Sequence, residues 1–325
     1  MTQYIIRRLL YSLPLLMGVN ILTFVLFFVV NSPDDMARMQ LGQKRVTEQA
    51  VENWKQQHGY NVPLLWNSDA QGEKKVTDTI FYQKSVGLFL FRFGVSDSGR
   101  NIGADIQERM WPSLAVALPS LIVGLLVNIS FALMMVLFRN SYLEHAGIVL
   151  CVILMSVSSL FYIIGGQFLI AKLLRLVPIS GYDDGMAAVK FLVLPVLIGV
   201  FSGIGSGVRW YRTLFLEEVE KDYVRTARAK GLTETQTLFR HVLRNAMIPI
   251  LTGVVVVLPL LFMGSLIMES FFSIPGLGSY TIDAINSQDF AIVRAMVFLG
   301  SVLYVIGLLL TDISYTIVDP RVRLS

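Results

Sequence analysis

His58, His145 and His241 are the only histidines in the chain, and Cys151 is its only cysteine. Imidazole and thiolate are the usual zinc ligands and the usual bases and nucleophiles of hydrolytic sites. Those sites need several such groups brought together, and here they are scattered singly. The pattern argues against a metal centre and against a nucleophile–base pair. Cys151 lies inside an apolar run and cannot form an internal disulfide, so it reads as packing. Phosphate chemistry needs a loop of the form GxxxxGK[ST], and the sequence holds no Gly-Lys dipeptide. The chain is therefore expected to bind no cofactor and to hydrolyse no nucleotide by itself.

Gly203-x-Gly205-x-Gly207 resembles a fragment of a dinucleotide loop, but it falls inside an apolar run, not between a strand and a helix. Gly199, Gly203 and Gly207 recur every four residues and share one helix face. Small residues at that spacing let helix backbones approach closely in lipid, and helix packing is their expected role. Four polar side chains complete the candidates. Asn128 and Gln167 lie mid-run and could bond a passing ligand or a neighbouring helix. Glu269 and Asp312 lie near run ends and could face an aqueous cavity or pair structurally.

The elements that carry these residues follow from composition. Of 325 residues, 54% are hydrophobic and 15% charged, with a mean hydropathy of +0.62. A soluble domain has about a quarter of its residues charged, because it must coat itself for water. An all-α membrane protein removes that need, since helices satisfy their own backbone groups in lipid. The net charge of +4 is small. No basic patch with interleaved aromatics points to nucleic acid, and membrane lipid is the expected surrounding.

Six runs reach the length a bilayer requires: residues 9–30, 113–138, 146–171, 191–208, 247–268 and 295–318, the fourth being the shortest. The first follows Arg7 and Arg8, as a signal peptide would. It is too long for one and no small-x-small cleavage site follows, so it reads as an uncleaved anchor. Three domains are expected: 1–30 with the first span, 31–110 as an extracytoplasmic segment, and 111–325 as the core. Within the middle segment, Val46–His58 has helical spacing that Gly59 should stop.

Lysine and arginine gather at Arg7 and Arg8, at Arg321 and Arg323, and between spans four and five at Arg209, Arg212, Lys221, Arg225, Arg228, Lys230, Arg240 and Arg244. With an even span count these fall on one side, which the positive-inside rule makes cytoplasmic for both termini. The loop with Asp283, Asp289 and a lone Arg294 suits the opposite side.

The loop 217–249 is the most informative stretch. Glu217, Glu218 and Glu220 open a helix that Arg225, Arg228 and Lys230 close, an order that complements the helix dipole. Gly231 is a natural left-handed stop. Thr233 with Gln236 forms a capping box for a second helix carrying Leu238, Val242 and Leu243, and Pro249 opens the next span. An L-shaped helix pair is the expected product. A solvated connector is the plainer alternative.

Tyr223-Val-Arg-Thr-Ala-Arg-Ala-Lys-Gly231-Leu, followed by His241-Val-Leu-Arg-Asn-Ala-Met-Ile-Pro249, resembles the EAA loop of ABC importer permeases, and more narrowly the B-type subunit of the peptide/nickel family. Tyr4-Ile-Ile-Arg-Arg, Phe93-Gly-Val-Ser, Leu176-Val-Pro-Ile-Ser-Gly-Tyr182, Pro275-Gly-Leu-Gly278 and Asp319-Pro-Arg321 are similar to family elements in the same order. Asp312–Arg321 looks most like the branch importing oligopeptides and peptide antibiotics such as microcin C. Ser156–Phe161 departs from the family pattern, having no proline.

That resemblance implies a permease, not an enzyme, importing peptides across the bacterial inner membrane. It implies a coupling helix at Tyr223, Arg225, Thr226, Ala227, Arg228, Ala229, Gly231 and Leu232. It also implies a second homologous permease, an extracytoplasmic substrate-binding protein, and two ATPase subunits that hold ATP and Mg. Nickel or another small solute is the alternative cargo, and a receptor or channel without ATPase coupling is the alternative class.

Overall fold

A computed structural model describes residues 2–42 and 46–318. Asp319-Pro-Arg321 and Arg323 lie outside those residues. Every regular element described is helical, apart from one isolated bridge between Val95 and Asn101. Five helical stretches are long and apolar enough to cross a bilayer: Arg7–Val30, Ile102–Leu137, Gly185–Val219, Glu234–Met263 and Phe290–Ser314. A bent pair, Tyr142–Ser156 with Ser159–Leu173, makes the sixth if counted as one span.

The elements used below are α1 (Thr2–Phe24), α2 (Pro33–Leu41), α3 (Glu48–His58), α4 (Ile102–Leu137), α5 (Tyr142–Ser156), α6 (Ser159–Gly166), α7 (Val189–Val219), α8 (Asp222–Ala229), α9 (Glu234–Thr237), α10 (Leu243–Val257), α11 (Leu266–Phe272), α12 (Leu277–Ser287) and α13 (Phe290–Val318).

The described residues form two compact units. One takes the chain up to Arg109 and Tyr280–Leu309; the other takes Met110–Ser279 and the chain from Leu310. Tyr280–Leu309 thus groups with the N-terminal part of the chain.

In the first unit, local capping chemistry sets the short helices. Ser32 and Asp35 close a capping box around Pro33 to start α2, and Thr47 caps α3. Gly59 ends α3 in the left-handed conformation, as expected. Met36, Trp54 and Tyr60 pack on Phe24 and Phe28. Asp97 accepts from Gln40 and lies 3.3 Å from His58 Nε2, while its own N–H donates to Asp289 at 2.8 Å. Burial and the Asp289 charge push the Asp97 carboxyl up. Arg294 is no loop charge: it lies within α13, only 6% exposed, over the Phe28 ring at 4.7 Å. It therefore carries no weight in the loop charge bias.

In the second unit, α4 and α7 run parallel. A Cβ on Gly199 would lie 3.3 Å from Ser120 Oγ, and one on Gly207 would meet Asn128, eight residues further along both helices. The third span breaks by 87° at Val157 and Ser158, both extended, so the chain turns here without a proline. The fourth is not the shortest, since its helix α7 continues to Val219. The fifth starts near Glu234, and Pro249 is inside α10 instead of at its start. Its missing N–H is tolerable where a π-turn, Leu238–Val242, already loosens the helix upstream.

Candidate functional site

The chain turns twice in quick succession after α7. Lys221 is extended (φ −72°, ψ 151°), and α8 begins at Asp222. Glu217 and Glu218 thus belong to the last turn of α7 and do not open the next helix, which corrects the expected start. Acids at a helix C-terminus oppose its dipole. Glu218 is compensated by an ion pair with Lys221 and a hydrogen bond from the Tyr223 hydroxyl. Burial, then that bond to Glu218, leaves the Tyr223 phenol pushed up to about 12, so it stays a donor at neutral pH.

The end of α8 is closed twice over. Gly231 donates to the Arg228 carbonyl at 2.9 Å and Leu232 to the Ala227 carbonyl at 3.3 Å, which is the Schellman arrangement. It requires a left-handed residue, and Gly231 has φ +82°. Two residues on, Thr233 and Gln236 make the expected capping box for α9. Arg228 clamps the bend from outside, Nε to Glu234 Oε1 at 2.8 Å and Nη2 to Oε2 at 3.0 Å. The two helices and the turn between them are present, and backbone geometry fixes that turn.

Its two faces differ. Val224 is 0% exposed and Ala227 4%, both turned into the chain's own helices, where Val224 packs with Leu238 and Val242. Ala227 is therefore not part of the open face of α8. The face left open carries Arg225, Thr226, Arg228, Ala229, Lys230 and Gly231, and Leu232 is half-buried. Glu144 on α5 bonds the Arg212 guanidinium of α7 and the Asn140 N–H, which anchors the helix leading into the elbow.

A second constructed site surrounds Glu269 on α11, 1% exposed. One carboxylate oxygen accepts from the Ser265 N–H at 3.2 Å, the other from Gly278 at 2.7 Å and Ser279 at 3.1 Å. Ser113 on α4 also donates to it, and the same hydroxyl accepts from the Leu277 N–H at 2.8 Å. Together they cap the start of α12. Burial pushes the Glu269 carboxyl up, against these bonds, which pull it down. A Cβ on Gly264, Gly276 or Gly278 would overlap the Glu269 carboxyl, so three glycines make room for one acid. The Pro275-Gly-Leu-Gly278 element is the wrapping of this carboxylate.

Residues 128–324 match the family described as binding-protein-dependent transport system inner membrane component, and residues 1–70 match its N-terminal companion. The chain belongs to this family. Several relatives cover it end to end. The oligopeptide transport system permease protein AppB of Bacillus subtilis is 29% identical over 335 residues, covering 99% of this chain and 100% of the relative. The dipeptide transport system permease protein DppB of the same organism is 27% identical, covering 100% and 99%. A putative peptide transport system permease protein of Brucella abortus is 31% identical, with 99% of each covered. The chain is thus a multi-pass membrane permease of a class that works with binding-protein and ATPase partners.

The other residues singled out in this permease are spread through the second unit. Gln167 is glue, its amide donating to the carbonyls of Ile179 and Phe271 at 3.2 and 3.0 Å. That ties the Leu176–Tyr182 turn to α11. Asn128 lies against Gly207, its Oδ1 buried without a partner. Asp312 is half-buried in α13. In the glycine row, Gly199 and Gly207 meet α4, but a Cβ on Gly203 would meet nothing within 4 Å. Gly205, which the four-residue rule skips, is as tightly enclosed as Gly207: its Cβ would overlap the Cys151 carbonyl and Met155.

Proposed function

We propose that this chain is the B-type permease subunit of a bacterial inner-membrane ABC importer for peptides, with both termini cytoplasmic. On this reading it pairs with a second homologous permease. A binding protein delivers peptide from outside, and two ATPase subunits holding ATP and Mg dock beneath. The whole-length likeness to proteins named for oligopeptide and dipeptide transport supports the cargo. The single observation that carries the coupling is the elbow: a short helix fixed at its corner by Gly231, with an open polar face at Arg225, Thr226, Ala229 and Lys230. A connector that only joins two spans needs neither a Schellman stop nor a capping box.

Closure of the ATPases pushes the open face of α8. Because the corner is stiff and Val224 and Leu238 lock it to α7 and α10, the push moves those helices and switches the pathway between its two orientations. Reconstitution tests this. The complete complex should take up a labelled peptide in the presence of ATP, and omission of either the ATPases or the binding protein should abolish uptake.

A further inference from the structure

A cavity of about 600 Å³ lies beside the Glu269 cap, within the second unit, in the size range of small-molecule sites. It draws its walls from α4, α6, α7 and the segment entering α11, with Ser113, Ser120, Gly199, Ser202 and Gly264 among them. Glu269 is its only ionisable lining residue, and that carboxylate is already engaged by three backbone N–H groups and Ser113. The cavity therefore offers no uncommitted charge.

Of its five serine hydroxyls, Ser113 donates to Glu269, and the two on facing walls of α4 and α7 are committed to their own helices. Ser120 Oγ donates to the Val116 carbonyl at 2.7 Å, and Ser202 Oγ to the Gly199 carbonyl at 3.1 Å. A serine hydroxyl has one donor hydrogen and two acceptor lone pairs. With the hydrogen spent on its own helix, each presents acceptors only. An anion needs donors, and a divalent metal needs carboxylate or imidazole ligands. Neutral acceptors among apolar side chains suit a molecule that carries N–H donors along an otherwise neutral backbone.

We propose that this cavity is part of the substrate path and that Ser120 and Ser202 accept hydrogen bonds from the backbone N–H groups of a passing peptide. The inference rests on the peptide-permease reading and adds to it the residues that meet the cargo. Such contacts read the main chain and ignore side-chain identity.

Threonine and valine are nearly isosteric and differ in the hydroxyl, so they separate acceptor from volume. In the reconstituted complex, uptake of labelled trialanine and the ATPase activity stimulated by loaded binding protein are measured together. Ser120→Thr with Ser202→Thr should keep uptake within about twofold of wild type. Ser120→Val with Ser202→Val should lose about tenfold, with stimulated ATPase activity kept. Ser120→Ala with Ser202→Ala, which adds no bulk, should show the same loss. Equal uptake by the threonine, valine and alanine pairs overturns the inference alone. A wild-type complex that imports no trialanine overturns the peptide reading and this inference with it.

Discussion

Arg228 and Glu234 meet in a two-pronged ion pair across the bend at Gly231, at 2.8 and 3.0 Å. Both side chains are substantially exposed. Exposed pairs of this kind contribute about 0–1 kcal/mol, so the clamp does not by itself hold the corner. The left-handed glycine does.

Gly231→Val should therefore cost more than Arg228→Gln. No atom lies within 4 Å of a Cβ at Gly231, so the penalty is conformational, about 1–2 kcal/mol for a left-handed L-residue. Gly231→Asn, which visits that region more readily, should fall between. Peptide uptake by the reconstituted complex should rank wild type, Asn, Val. Equal uptake for Val and wild type would show that the bend is dispensable.

Ala227 and Arg225 lie on opposite faces of α8 and should fail differently. Ala227→Glu places a charge among buried helices, a cost of several kcal/mol, and should lower the amount of folded protein in the membrane. Arg225→Glu and Lys230→Glu alter only the open face. They should leave folded protein at wild-type levels and lower ATPase stimulation. Detergent-extracted yield by size-exclusion chromatography, read beside ATPase activity, separates the two outcomes.

The elbow shows how much the sequence could say. Gly231, Thr233 and Gln236 were legible because stops and capping boxes are made by residues within a few positions of one another. The start of α8 was not. Three glutamates opened a plausible helix, but α7 runs through the first two and is capped at the third, and Lys221 and Tyr223 compensate Glu218 there. Which face of α8 is buried also depends on α10, beyond the reach of local pattern. Glu269 was visible only as a candidate. The clue to its role was the three glycines at 264, 276 and 278, whose common purpose appears once the chain folds back on itself.

Glu269→Ala should destabilise the protein by about 2 kcal/mol or more, since the two buried N–H groups of Gly278 and Ser279 lose their acceptor at roughly 1–3 kcal/mol each and the Ser265 N–H loses a part-buried one. Glu269→Gln keeps an acceptor and should cost less. Burial raises the folded-state pKa above the ordinary value of 4.5. Between the two values the folded state holds the proton and the unfolded state releases it, so stability is greatest below about 4.5 and falls as pH rises through the folded pKa. Thermal unfolding in detergent across that window should show the slope in wild type and lack it in Glu269→Gln.

The glycines of α7 should divide by what faces them. Gly203→Ala should be neutral or stabilising by up to about 1 kcal/mol, because alanine favours a helix and nothing in the chain obstructs its Cβ. Gly205→Ala should be destabilising, since its Cβ overlaps the Cys151 carbonyl. Thermal stability of the two variants in detergent checks the order, and a reversed order would remove the packing account.

On the proposed function, an ATPase pushes on the open face of α8. The native Cys151 is fully buried, so single cysteines introduced at Arg225, Lys230 and Val224 can be compared in the assembled transporter. Cross-linking by a short thiol reagent is followed by gel shift, with and without ATP, against cysteines on the ATPase surface. Arg225→Cys and Lys230→Cys should cross-link to the ATPase with a yield that changes with nucleotide, and Val224→Cys should not. A transport-competent complex in which both exposed positions stay freely alkylated and never cross-link would contradict the account.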